Sequence, residues 1–115
     1  MANWFMAAFQ SATRALECAV AIQQGISRRE DGAERLRVRI GVNAGEPIVE
    51  QEDFFGTVVI LAARLASKAA GGEILVSDVV RQLATGKGFL FADRGQAMLK
   101  GYAEPVRVFE LRWSE

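Results

Sequence analysis

The stretch DFFGTVVILAARL, residues 53–65, joins an acidic residue and a turn to an apolar segment that includes one basic side chain, Arg64. Gly56 and the residues after it predict a helix that runs to about Ala70. The following pair, Gly71 and Gly72, is typical of a helix C-terminus, where glycine adopts the left-handed conformation. Arg64 therefore has two interpretations: it holds a phosphate, or it is the solvated side of a packed helix.

The residues before this stretch predict two strands and a helix. Residues 4–9 form an apolar run that we interpret as a buried strand. Apolar residues then recur with the period of one helix face over residues 12–26, and Ser11 is the expected N-cap. Residues 28–34 are a charged loop, and the alternation over residues 36–42 predicts a half-buried strand.

Gly41, Gly45 and Pro47 are expected to bend the end of this second strand, which residues 48–49 continue. The residues after the stretch 53–65 predict a strand, a short helix and three further strands. The predicted later elements are a strand at 73–76, a helix capped by Ser77 to about residue 84, and strands at 89–92, 97–99 and 106–113, with turns at 94–95 and 101–105. This βαβαβα order with a β-meander predicts an α/β (α+β) fold, a mixed sheet flanked by helices.

Composition limits the classes of function. The chain has 115 residues, enough for one domain, and equal numbers of basic and acidic residues, 14 each, so nucleic acid is not an expected partner. It has no His and a single cysteine, Cys18, which excludes a Ser-His triad and a multi-cysteine metal site. No apolar run is long enough for a membrane span, and no basic residue precedes residues 5–9 as in a signal peptide. We therefore expect a cytoplasmic protein.

Five blocks of the sequence, taken together, resemble the class III adenylate/guanylate cyclase catalytic domain. In chain order they are FMAAF (5–9), RIGVNAGE (39–46), DFFGTVVILAARL (53–65), GGEILVS (71–77) and LKGYAEPV (99–106). The resemblance implies a ferredoxin-like nucleotide-cyclase fold that is N-terminally truncated. Residues 1–115 would then form a single partial domain.

The resemblance also implies a reaction and a shared site. In this family the ribose 3′-hydroxyl of ATP or GTP attacks the α-phosphorus and pyrophosphate leaves, with Mg²⁺ or Mn²⁺ stabilising charge on the phosphate oxygens. The sites form between two antiparallel subunits, each of which supplies one half. We accordingly expect a homodimer or a strand-exchanged oligomer.

Four residues match nucleotide-binding positions of the family. Arg64 matches the arginine that stabilises the transition-state phosphate, a role suited to a permanently charged, bidentate guanidinium. Asp53 matches the position that selects the purine and favours ATP over GTP, and Phe55 lies beside it in the same turn. Lys100 matches a lysine that contacts the triphosphate. Asp53 could equally be one acid of a solvated loop, and Lys100 a surface lysine at a turn.

Three departures from the family pattern argue against catalysis. The first metal-binding Asp of the family lies on a strand that this chain does not contain. Asn3 stands where the second metal-binding Asp is expected, and a neutral amide is a poor Mg²⁺ ligand. Ile60 stands where the family has an Asn that bonds the ribose, one helical turn before Arg64.

Two main hypotheses therefore remain open. The first is a nucleotide cyclase domain that is inactive or severely impaired as this isolated chain. The second is a non-catalytic dimerisation or nucleotide-binding module derived from a cyclase. A plain interaction domain without any ligand is a third possibility, although the block at residues 53–65 is specific enough to disfavour it.

Overall fold

Helices and strands alternate along the first part of the chain, and two long strands follow them. The computed structural model describes residues 6–29, 37–45 and 56–114. The elements are α1 (Ala12–Ser27), β1 (Ile40–Val42), α2 (Thr57–Lys68), β2 (Ile74–Ser77), α3 (Asp78–Leu83), β3 (Leu90–Ala97) and β4 (Val106–Arg112). No helix among these residues is long and apolar enough to cross a membrane.

The four strands form one mixed sheet in the order β1-β2-β4-β3. β1 pairs with β2 in parallel, whereas β4 pairs in the antiparallel sense with both β2 and β3. A parallel connection needs a crossover, and α2 provides it between β1 and β2. The predicted mixed sheet flanked by helices is confirmed.

One face of the sheet is covered by α1 and α3. Side chains alternate along β2 and β4, so every second residue points to this face. The buried cluster there consists of Leu16, Ala19, Ile74, Val76, Val80, Ala84, Phe109 and Leu111. Each large side chain removed from water in this way contributes about 1.5–3 kcal/mol of transfer free energy.

The opposite face packs against α2 and the segment that follows β3. Its buried cluster consists of Leu65, Ala69, Leu75, Leu99 and Val108. Arg64 directly precedes one member of this cluster, Leu65, and Lys100 directly follows another, Leu99. The same core therefore fixes the backbone beside both cations.

The predicted helix starts are confirmed for α1 and α3. The Ser11 hydroxyl accepts a hydrogen bond from the Arg14 amide, and the Ser77 hydroxyl accepts one from the Val80 amide. These caps satisfy amides that have no partner within the helix. The α2 helix ends at Lys68, two residues earlier than predicted.

The strand predicted at residues 4–9 is wrong over the part that the structure describes. Residues 6–9 have no strand pairing, and the side chains of Met6 and Phe9 are exposed. Apolar character alone does not make a strand, because its backbone groups must also find a neighbouring strand. Residues 4–5 lie outside the described ranges.

The strand predicted at residues 36–42 is shorter in the structure, where it covers only Ile40–Val42. The carbonyl of Val38 accepts hydrogen bonds from the Gln23 side-chain amide and from the Gly72 amide instead of joining the ladder. Gly41 lies inside β1 rather than at a bend. Leu36 and the proposed continuation at residues 48–49 lie outside the described ranges.

The predicted meander of three strands is wrong, because β3 and β4 form a single long hairpin. Between the pairs Asp93–Phe109 and Gln96–Arg107, β3 contains one residue more than β4, which makes a β-bulge. Gly95 has a φ of +76°, and its amide donates to Asp93 Oδ1 at 2.7 Å. The bulge absorbs the turn that we expected at residues 94–95.

Arg94, displaced by this bulge, joins β3 to β4 and to the residue that precedes β2. Its Nη1 atom lies 2.9 Å from Glu73 Oε2 and 3.0 Å from Glu110 Oε1. The Ala70 amide donates to Glu73 Oε1, and together with Arg94 it holds the pKa of Glu73 below its ordinary value. This network connects the end of α2 to the edge of the sheet.

Candidate functional site

The candidate site is built on α2, which carries both Ile60 and Arg64. Gly56 is the N-cap, and its carbonyl accepts the amides of Val59 and Ile60 in the first turn. A spacing of four residues places Ile60 and Arg64 on one face of the helix. The Ile60 side chain is 42% exposed, and Arg64 is half-buried.

The helix is held against β1 by an unusually close backbone contact at Gly41. A Cβ atom on Gly41 would overlap the carbonyl oxygen of Ala62 and the amide nitrogen of Ala66. It would also lie 3.0 Å from Leu65 Cβ. Only glycine permits this approach, so the strand sets the position of the helical turn that carries Arg64.

Two further contacts fix the beginning of α2. The side-chain amide of Asn43 donates to the Val58 carbonyl at 3.1 Å. A Cβ atom on Gly45 would lie 2.5 Å from Val58 Cγ2, so the chain after β1 also runs close to the helix. The RIGVNAGE block therefore supports the DFFGTVVILAARL block through direct packing.

Lys100 lies in the turn that follows β3. The Tyr102 amide donates to the Leu99 carbonyl at 3.0 Å, and Gly101 has a φ of +89°. A bond between residues three apart, with positive φ at the third position, is the pattern of a type II turn. The Lys100 side chain is exposed.

The structure brings Arg64 and Lys100 into direct contact. Arg64 Nε donates to the Lys100 carbonyl oxygen at 2.9 Å, although the two residues are 36 positions apart. The two nucleotide-binding candidates on the described part of the chain therefore lie side by side. The resemblance gave each residue a role but did not predict this bond.

Neither cation of this pair is neutralised by a described carboxylate. The ion pairs within residues 6–29, 37–45 and 56–114 join Arg81 to Asp78, Arg107 to Asp93, and Arg94 to two glutamates. Arg64 makes no other hydrogen bond to this part of the chain. Two neighbouring basic residues without a counterion among the described residues favour binding of an anion such as a polyphosphate.

The structure does not give the positions of three of the predicted site residues. Asp53, Phe55 and Asn3 lie outside the residues that the structure describes. Their predicted roles in purine selection, nucleotide binding and the metal site stay predictions. The roles of Arg64, Lys100 and Ile60 also stay predictions, although their positions are known.

Sequence reasoning missed the residues that hold the site together. Gly41 was interpreted as part of a bend, whereas it is the point of closest approach between β1 and α2. Gly101 is predicted only as the start of a turn at residues 101–105, although it permits the turn that presents the Lys100 carbonyl. A glycine within each of these two sequence blocks was the available signal, because glycine often marks close backbone approaches and tight turns.

Comparisons with known proteins agree on one family. A family model described as "Adenylate and Guanylate cyclase catalytic domain" matches residues 2–112. A Rhizobium meliloti (strain 1021) protein named "Putative adenylate cyclase 3" is 36% identical over 112 residues. The match covers 92% of this chain and 18% of that protein, so the chain spans less than a fifth of this relative.

Solved structures of cyclase domains also resemble the chain. An adenylate/guanylate cyclase/hydrolase from Silicibacter pomeroyi is 38% identical with a TM-score of 0.76, and the match covers 90% of this chain and 63% of that one. The guanylate cyclase domain of RhGC from Catenaria anguillulae, solved in complex with GTP, is 26% identical with a TM-score of 0.69. That match covers 88% of this chain and 59% of the other. The predicted resemblance and fold are confirmed.

Proposed function

Because the chain belongs to the family of adenylate and guanylate cyclase catalytic domains, we propose that Arg64 and Lys100 bind the triphosphate of a purine nucleotide. The observation that carries the proposal is the 2.9 Å hydrogen bond from Arg64 Nε to the Lys100 carbonyl. It brings the Arg64 guanidinium against the backbone of the residue that carries the Lys100 ammonium group. These are the two side chains best suited to phosphate oxygens, one as a bidentate donor and one as a compact charge.

The site is half of a larger one. Arg64 and Lys100 lie on the protein surface, and neither lines the groove between α1 and the hairpin of β3 and β4. A surface pair of cations cannot by itself enclose a nucleotide. We therefore place the complete site between two subunits, in a homodimer or a strand-exchanged oligomer.

The choice of purine falls to Asp53, with Phe55 two positions later in the sequence. A carboxylate accepts a hydrogen bond from the exocyclic amino group of adenine, whereas the corresponding position of guanine is a carbonyl that would be repelled. This chemistry favours ATP over GTP.

The cytoplasmic location expected from the sequence also stays a prediction.

The residues that the structure describes do not form a site for the Mg²⁺ or Mn²⁺ that the family uses. The described ranges contain no group of three His, Cys, Asp or Glu side chains that could hold a metal ion. Asn3, at the position of a metal-binding Asp, offers a neutral oxygen in place of a carboxylate.

With Asn3 at the position of a metal-binding Asp, the isolated chain is an inactive or severely impaired cyclase. Ile60 adds a second defect, because an alkyl side chain one turn before Arg64 cannot donate a hydrogen bond to the ribose. Removing one donor of this kind typically lowers a rate on the order of 10²-fold or more. Ground-state binding of the triphosphate needs neither feature and remains available to Arg64 and Lys100.

A non-catalytic dimerisation or nucleotide-binding module is the alternative function. The specific observation in its favour is Ile60, a large apolar side chain that is 42% exposed beside Arg64. An exposed isoleucine at this position suits packing against another protein surface better than contact with a sugar hydroxyl. The domain would then retain the shape of a cyclase and act through binding.

A product assay tests the proposed loss of activity. The purified chain is incubated with ATP or GTP and either Mg²⁺ or Mn²⁺, and cyclic AMP, cyclic GMP and pyrophosphate are measured. We expect no product above the level of a heat-denatured sample. Turnover that rises in proportion to the concentration of the chain would show that Asn3 and Ile60 do not abolish catalysis.

A further inference from the structure

The turn at residues 99–102 has a geometry that only a few residue types allow. Gly101 has a φ of +89°, a value at which L-residues with a Cβ atom are strained. The turn is closed by the 3.0 Å bond from the Tyr102 amide to the Leu99 carbonyl. Asn is the residue that best replaces glycine at this third position of a type II turn.

Both ends of the turn are fixed by the core. Leu99 is buried in the cluster beneath α2, and Tyr102 packs against the same cluster. The carbonyl of the central peptide, which belongs to Lys100, takes no part in the bond that closes the turn. It accepts the hydrogen bond from Arg64 Nε instead.

This bond determines which edge of the guanidinium is available. A guanidinium can offer either its Nε and one Nη atom, or its two Nη atoms, to a planar pair of oxygens. Since Nε is occupied by the Lys100 carbonyl, the two Nη atoms form the edge that remains for a ligand. The carbonyl also limits rotation of a long side chain, which lowers the entropy lost on binding.

We propose that Gly101 is a positioning residue, which orients Arg64 for phosphate binding by presenting the Lys100 carbonyl to Arg64 Nε. The inference rests on the proposed function, because it concerns the same phosphate site. It assigns a role to the backbone of the LKGY segment in addition to the Lys100 side chain. Gly101 itself touches no ligand.

Substitution at Gly101 tests the backbone conformation alone. A Cβ atom at this position would meet no atom within 4 Å, so alanine changes φ preference without causing a clash. Gly88, in the turn before β3, is a matched control with the same φ of +89° and equally open surroundings. Gly101→Ala and Gly88→Ala should therefore strain the fold equally, and only the first should affect Arg64.

Calorimetric titration with inorganic tripolyphosphate measures the effect on the site. We expect Gly101→Ala to weaken binding roughly five- to tenfold, as when one charge-assisted hydrogen bond is weakened. Gly88→Ala should leave the affinity unchanged, and Gly101→Asn should restore most of it. Equal affinities of Gly101→Ala and the wild-type chain would overturn the positioning role while leaving phosphate binding itself intact.

A double-mutant cycle separates positioning from general destabilisation. In an Arg64→Ala background, Gly101→Ala should have no further effect on tripolyphosphate affinity, because the side chain that it positions is absent. An equal loss in both backgrounds would contradict the proposal. If the wild-type chain binds as weakly as Arg64→Ala, the proposed function fails instead.

A measurement without any ligand tests the same bond directly. In NMR spectra, the Arg64 Nε–H proton should exchange slowly with solvent in the wild-type chain, in Gly88→Ala and in Gly101→Asn. It should exchange as fast as that of exposed Arg14 in Gly101→Ala. Fast exchange in the wild-type chain would overturn the inference whatever the affinity for phosphate.

Discussion

Replacing Gly41 with alanine is expected to lower the free energy of unfolding by about 3 kcal/mol or more, the upper range for overpacking a core. The added methyl group would overlap the Ala62 carbonyl and the Ala66 amide, both of which belong to the backbone of α2. A backbone cannot move aside by changing rotamer, so the helix would have to separate from β1. Arg64 would move with it, and chemical denaturation monitored by circular dichroism measures the loss.

Gly25→Ala provides the matched control for this substitution. Gly25 lies in α1, where a Cβ atom would meet nothing within 4 Å. Because alanine favours a helix more than glycine does, we expect stability to be unchanged or raised by up to about 1 kcal/mol. If Gly41→Ala is as stable as Gly25→Ala, the close packing of β1 on α2 does not exist in solution.

Replacing Ile60 with asparagine is expected to raise cyclase activity on the order of 10²-fold in a heterodimer of this chain with another cyclase domain. The asparagine supplies the missing hydrogen-bond donor. The partner would be a cyclase domain of the same family with intact metal carboxylates and its own transition-state arginine replaced. Only a site that uses Arg64 of this chain could then form product. Ile60 is 42% exposed, so asparagine should be accepted without loss of core packing.

Ile22→Asn is the control for this gain. Ile22 is 43% exposed on α1, so the same replacement of isoleucine by asparagine is made at nearly the same exposure on a different helix. We expect it to leave the rate of the heterodimer unchanged. An Ile60→Asn rate no higher than that of Ile22→Asn would show that the side chain one turn before Arg64 does not limit catalysis.

The helices could be predicted from sequence because their signals are local. Period, N-cap residues and terminal glycines all lie within a few positions of one another, and the Ser11 and Ser77 caps are present as expected. The strands were predicted less well, because their limits depend on partners far along the chain. The bulge at Gly95 looked like a turn, since glycine at positive φ serves both structures.

The candidate site was predictable as a set of residues but not as an arrangement. The resemblance singled out Arg64 and Lys100 as two separate side chains. Their contact runs through the Lys100 carbonyl, and every residue offers a backbone carbonyl, so no side-chain pattern reveals it. Gly41 and Gly101 act through close approach and φ, which depend on the three-dimensional surroundings.

The central claim is that Arg64 and Lys100 retain the capacity to bind a purine nucleoside triphosphate. Calorimetric titration of the chain with ATP and GTP, without metal, tests it most directly, with Arg64→Ala beside an Arg14→Ala control. We predict saturable binding, tighter for ATP, that weakens at least about tenfold in Arg64→Ala, the loss expected for a charge-assisted hydrogen bond. Arg14→Ala should bind as the wild-type chain does. Equal binding by all three chains, or no binding by any, would contradict the claim.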